Sequence, residues 1–139
     1  MQPRISMITL GTKNLRRATD FYAQGLGFPQ LKMAEGDITF FTLSSTWLAL
    51  YPWDLLAADA TIDPKGSGFR GVTFSHNVGN EEEVLALFDA AKQAGAQCLK
   101  VPQKTEWGGF SGYFSDLDDH VWEIAFNPFF WPGPQDHHA

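Results

Sequence analysis

The sequence predicts an α+β domain of two tandem βαβββ modules forming a curved, half-barrel mixed sheet around a central cavity. Three observations lead there. The apolar period switches from two to 3.6 and back, twice along the chain, as it does where strands give way to a helix and return. Two helix start and stop signatures fall at matching places in the two halves. Landmarks also recur at slowly growing offsets: Phe21 and Phe88 are 67 residues apart, Gly27 and Gly95 are 68, and Trp47 and Val121 are 74. The order never changes, so one unit is repeated once. A helix covers one sheet face of each half and leaves the other bare, and the bare faces must meet or enclose something. Module one is placed at residues 4–53, a connector at 54–68, module two at 69–128 and a tail at 129–139.

Residues 5–10 alternate apolar and small polar groups as a strand does, and residues 11–14 read as a turn. Asn14 caps the helix that follows, whose apolar side is Leu15, Ala18, Phe21 and Tyr22, and Gly25 and Gly27 end it. Segments 29–33, 38–43 and 47–51 form a three-stranded meander. Residues 52–68 mix Asp, Ala, Pro and Gly without a period and read as the connector. In the second half, 71–77 is a strand, and Asn80 with Glu83 makes a capping box, helped by the charges of Glu81 and Glu82. Val84, Leu87, Phe88 and Ala91 form the buried stripe of this helix, and Gly95 stops it. Strands 97–101, 112–115 and 121–125 complete the repeat.

Composition excludes several functions. The chain has 139 residues and 44% apolar content, enough for a substantial core, and 12 Phe with 5 Trp make aromatic packing dominant. A net charge of −6 gives no field for capturing nucleic acid or anionic membrane, and no stretch approaches the length of a membrane span. With no secretory leader pattern and a single cysteine, Cys98, read as a small buried hydrophobe, a cytoplasmic location is expected. His137 and His138 are read as part of a mobile tail, not a metal site. Nucleotide-binding glycine fingerprints, phosphate loops, nucleophile elbows and CxxC pairs are absent.

The strings TLGTKNLRRATDFYAQGLGF and WGGFSGYFSDLDDHVWEIAFNP resemble the vicinal oxygen chelate superfamily, which includes glyoxalase I, extradiol dioxygenases, fosfomycin-resistance enzymes and bleomycin-binding proteins. The resemblance spans nearly the whole chain and implies the fold strongly and a particular activity weakly, because one scaffold hosts many chemistries. It implies four metal-ligand positions, falling at Met7, Ala49, Val72 and Glu123. Of these only Glu123 offers a hard or borderline cation an oxygen donor, so any divalent Zn, Ni, Mn or Fe would occupy a partial site, and glyoxalase I activity is not expected. Leu117 and Asp119 stand where the family often carries Pro and Gly, which requires a positive φ at Asp119.

Period-two alternation puts Val72, Phe74 and His76 on one strand face. If Val72 faces the cavity, so does His76, as acid, base, ligand or donor; a structural histidine is the competing reading. Glu123, between Trp122 and Ile124, needs a partner: a catalytic or ligand-binding role competes with pairing to Arg4 or Arg70. The WGGFSGYF segment supplies Trp107, Phe110 and Tyr113 beside two glycines, either a loop closing over a ligand or ordinary packing. His120 reads as a hairpin-stabilising residue.

These residues lead to a protein that binds a small organic molecule in an aromatic cavity through Met7, Val72, Phe74, Trp107 and Tyr113, without a complete metal centre. The alternative is a lyase, isomerase or dioxygenase, metal-dependent or metal-free, using Glu123 and His76. The aromatic FNPFFWPGP tail suggests a homodimer.

Overall fold

The computed structural model describes residues 1–32 and 36–134. Met33, expected to end a strand, and the histidines at 137 and 138 lie outside them. The chain divides into two compact units, Met1–Gly68 and Phe69–Ala139.

In the first unit, β1 (Met7–Thr12) leads through α1 (Leu15–Asp20) and a π-helical turn (Phe21–Gly25) to β2 (Thr39–Phe41) and β3 (Trp47–Pro52). The sheet order is β1-β3-β2, with β1 parallel to β3 and β2 antiparallel to it. Asn14 starts the helix as expected, its side chain accepting from the Arg17 N–H at 3.0 Å. The wider turn after it, closed by the Leu26 N–H on the Phe21 carbonyl, buries two consecutive aromatics, Phe21 and Tyr22. Tyr22 stacks on Phe28 and meets Phe41, so the core lies between the helix and β2. The first strand of the expected meander is reduced to a bridge between Gln30 and Phe41, flanked by Leu31 N–H to Phe40 and Thr42 N–H to Pro29.

The connector holds a helix that sequence periodicity did not reveal, α2 (Trp53–Ala60). Leu55, Leu56 and the alanines are strong helix formers, Asp54 complements the dipole in the first turn, and Thr61 ends it in the left-handed region at φ 58. Trp53 lies against Gly11, where a Cβ would come within 3.0 Å of the indole. The Trp53 N–H donates to the Pro64 carbonyl at 3.0 Å, and the Lys13 ammonium sits 5.2 Å from the ring centroid.

The second unit is a four-stranded sheet in the order β4-β7-β6-β5: β4 (Phe74–Asn77), β5 (Gln97–Lys104), β6 (Phe110–Ser115) and β7 (Val121–Phe126). As in the first unit, the opening strand runs parallel to the closing one and the rest are antiparallel. α3 (Glu81–Gln93) covers one face through Val84, Phe88 and Ala91, all buried. Asn80 accepts from the Glu83 N–H at 2.8 Å, while the Glu83 carboxylate reaches back to the Gly79 N–H, one residue before the position a capping box usually satisfies. Phe88 meets Phe114 edge-on at 5.5 Å, and Trp122 lies 5.2 Å from Phe74. Cys98 is half-buried, less enclosed than expected.

The turn between β6 and β7 behaves as its sequence demands. Asp119 has φ 67, and the Asp116 carboxylate accepts from the N–H groups of Asp118 and His120 at 2.8 and 2.9 Å. His120 thus belongs to the hairpin. No helix among the described residues is long and apolar enough to cross a membrane.

Candidate functional site

Register decides which side chains of the second unit share a face. In the parallel ladder Phe74 lies opposite Trp122, Ser75 opposite Glu123 and His76 opposite Ile124. In the antiparallel ladder Tyr113 lies opposite Glu123, Phe114 opposite Trp122 and Gly112 opposite Ile124. Paired residues point the same way and successive residues point opposite ways. Phe74, Phe114, Trp122 and Ile124 therefore lie on the α3 side, and Ser75, Tyr113 and Glu123 on the other.

This arrangement corrects one expectation. His76 and Phe74 do not share a face with Glu123; they stand with the core aromatics, His76 exposed on an edge strand. Val72 lies two residues before β4, outside the ladder, and is half exposed. The residue opposite Glu123 is Ser75, which sequence reasoning did not single out. The missing signal was the parallel pairing itself, since parity within one strand cannot say which of its faces a distant strand's carboxylate joins.

Glu123 is held from both sides. The Ser75 hydroxyl donates to Oε1 at 3.1 Å, and the Tyr113 hydroxyl donates to the same carboxylate. The partner that an apolar strand demands for a carboxylate is thus a pair of hydroxyls from the two adjoining strands, not the guanidinium of Arg4 or Arg70. Tyr113 has its pKa raised above 10.0, first because burial disfavours the phenolate, then because the Glu123 charge opposes a second negative charge and the hydrogen bond needs the phenol proton. The phenol is therefore a proton donor throughout the physiological range.

The rest of this face mixes polar residues with Val121 and Ala125, which flank Glu123 in alternation on β7. Asn77 follows Ser75 in alternation, and Ser111 and Ser115 flank Tyr113 on β6. Lys100 stands opposite Tyr113 on β5. The expected aromatic lining is instead found in the core on the α3 side, and only Tyr113 of the named aromatics accompanies Glu123. Trp107 sits in the β5–β6 turn, half exposed, with its ring folded over Gly109, where a Cβ would clash with it. Gly108 holds φ +96 beneath the ring of Phe129.

In the first unit, Met7 begins β1 opposite Trp47, and Ala49 lies opposite Thr9 in the buried centre of β3. Neither brings an oxygen, nitrogen or thiolate donor, and Val72 brings none in the second unit. Among the described residues no three His, Cys, Asp or Glu side chains are gathered to hold a metal ion. Glu123 already accepts from two hydroxyls, so the residues at the four implied positions do not fit the family's metal set.

A family description, Glyoxalase/Bleomycin resistance protein/Dioxygenase superfamily, matches residues 4–124, and the chain belongs to that superfamily. Among solved structures, it is 32% identical to a glyoxalase-related enzyme from Fulvimarina pelagi, with TM-score 0.83 over 94% of this chain and 93% of that one. A hypothetical protein from S. aureus is 21% identical, with TM-score 0.79 over 91% and 95% of the two chains. Lactoylglutathione lyase from Agrobacterium tumefaciens is 19% identical, with TM-score 0.67 over 91% and 96%. The last two likenesses speak for the fold alone. No curated protein matches.

Proposed function

We propose that this chain binds a small organic molecule on the face of its second module that carries Glu123, Tyr113 and Ser75, without a complete metal centre. One observation supports the reading above the others: a half-buried carboxylate on a central strand, fixed by hydroxyls from both neighbours on the face that α3 leaves uncovered. Two hydrogen bonds hold the acceptor in one orientation before any ligand arrives, which lowers the ordering cost of binding. Trp107, at the mouth of the β5–β6 turn, is a further ligand contact in this reading. Met7, in the first unit, has no support from the geometry of the second.

Thermal melting against a panel of small organic molecules tests this. A ligand at 100 times its Kd adds about 2.7 kcal/mol to the native state, and the gain should shrink in Glu123→Gln and Tyr113→Phe. A panel that leaves the melting temperature unchanged, or raises it equally in both variants, refutes the assignment. Purified protein is expected to hold far less than one equivalent of divalent metal, and near-stoichiometric metal lost on Glu123→Gln would refute the metal-free form.

Acid–base catalysis at the same carboxylate is the second reading, favoured by the 32% identity to a glyoxalase-related enzyme. There Glu123 is the base and Tyr113 its proton-donating neighbour, and His76 has no part because its side chain leaves the opposite face. A homodimer, with the exposed Phe129 and Phe130 covered by a second copy, completes the proposal and is checked by light scattering of Phe129→Ser/Phe130→Ser against the unsubstituted chain.

A further inference from the structure

The chemical class of the ligand follows from what already surrounds Glu123, and the inference rests on the binding reading above. A carboxylate offers about four acceptor positions. Ser75 and Tyr113 fill two of them, one from each neighbouring strand, and both are neutral donors. They orient the group without matching its charge. The side chains nearest to it on this face, Asn77, Ser111, Ser115, Val121 and Ala125, are also neutral. Lys100, opposite Tyr113, is two strands from Glu123, or about 9–10 Å of sheet.

A cation matches what remains of Glu123. Its N–H groups would meet the open acceptor positions as charge-assisted hydrogen bonds, about twice as strong as neutral ones. An anionic ligand would meet like charge there, on a chain whose net charge is already −6. A bare divalent cation is disfavoured for a different reason, since one carboxylate falls short of the several donors such ions require. We propose that the ligand presents a protonated amine, or another cationic N–H donor, to Glu123, with Ser75 and Tyr113 as positioning residues that hold the carboxylate in place.

The experiment is a titration of the full chain, 15N-labelled, with three probes of one shape and different charge: benzylamine, benzyl alcohol and benzoate. Benzylamine should move the backbone amides of Ser75, Tyr113 and Glu123 saturably, with at least ten-fold higher affinity than either other probe. Glu123→Gln should cost it at least ten-fold, whereas Glu81→Gln, which removes an equal charge elsewhere, should not. The comparison of probes in the unsubstituted chain decides the matter even if a variant fails to fold. Should benzyl alcohol or benzoate bind this face as tightly as benzylamine, the cationic class falls while the binding face stands. If no probe moves those amides, both fall.

Discussion

Gly112→Ala should destabilise the second unit by about 1–3 kcal/mol, the usual cost of forcing an extra methyl into filled space. Gly112 lies on the α3 side of β6, opposite Ile124. A Cβ there would come within 2.8 Å of the Lys100 carbonyl oxygen, 2.8 Å of the Pro102 nitrogen and 2.9 Å of the Phe88 ring. Two of the three are backbone atoms of β5, and the ring is buried, so no flexible side-chain end can swing away. The contact also explains the irregularity of β5, whose register slips between Cys98 and Lys100 and again between Lys100 and Gln103: the strand bends into the space a side chain would occupy. Opposing the clash, alanine is less costly than glycine to order in a strand by about 0.5–1 kcal/mol, and the backbone at 112 is not in the left-handed region. Three contacts at or below 2.9 Å outweigh that. Urea unfolding followed by circular dichroism measures the difference, with Gly36→Ala as control, since nothing lies within 4 Å of a Cβ there. The control should be unchanged or more stable. A Gly112→Ala chain as stable as the original would show that β5 does not rest on Gly112.

Four further outcomes follow from the same geometry. Asn80→Ala should lower stability by about 1 kcal/mol by leaving the Glu83 N–H uncapped, read as a shift in urea midpoint, and Asn80→Gly should lose only a few tenths. Ser115→Ala should raise stability by about 1 kcal/mol, because among the described residues the Ser115 hydroxyl is the one buried side-chain polar atom without a partner; a loss of stability would contradict this. Tyr113 has a folded pKa raised above its unfolded value near 10.0, so its contribution is complete below that value and is lost as pH rises through the folded one. The unsubstituted chain should therefore lose stability relative to Tyr113→Phe as pH rises above about 10, and equal slopes would contradict the burial of the phenol. In Glu123→Gln the phenol should ionise at lower pH than in the original yet still above the ordinary value, because burial is the larger cause.

Local signals were legible in the sequence wherever one residue type had one physical reason to be there. Asn14 and Asn80 cap helices because their side chains accept from N–H groups three residues on, and Asp119, standing where the resembled family often carries Gly, lies in the left-handed region as that resemblance implied. The repeat was legible because both halves needed the same strand–helix junction. α2 was not: its eight residues are too few to establish a period, and its hold on the sheet comes from Trp53 meeting Gly11, a contact between residues 42 apart. The candidate site was half legible. Glu123 stood out as a carboxylate in an apolar strand, but Ser75 looked like any serine in a strand whose outer residues are polar. Only the parallel pairing of β4 with β7 makes it a partner.

That pairing also fixes the candidate site more firmly than the two hydrogen bonds do. Trp122 and Ile124 flank Glu123 and are both buried on the α3 side, Trp122 between Phe74 and Phe114. Turning β7 by one residue to bring Glu123 beside His76 would expose both apolar side chains, at about 1.5–3 kcal/mol each, and would bury a carboxylate under the helix. A hydrogen bond between Glu123 and His76 could not offset that, since such bonds to charged groups contribute about 1.5–3 kcal/mol. The core therefore dictates which face receives the carboxylate, and Ser75 and Tyr113, the residues opposite Glu123 on the two adjoining strands, are the side chains best placed to hold it.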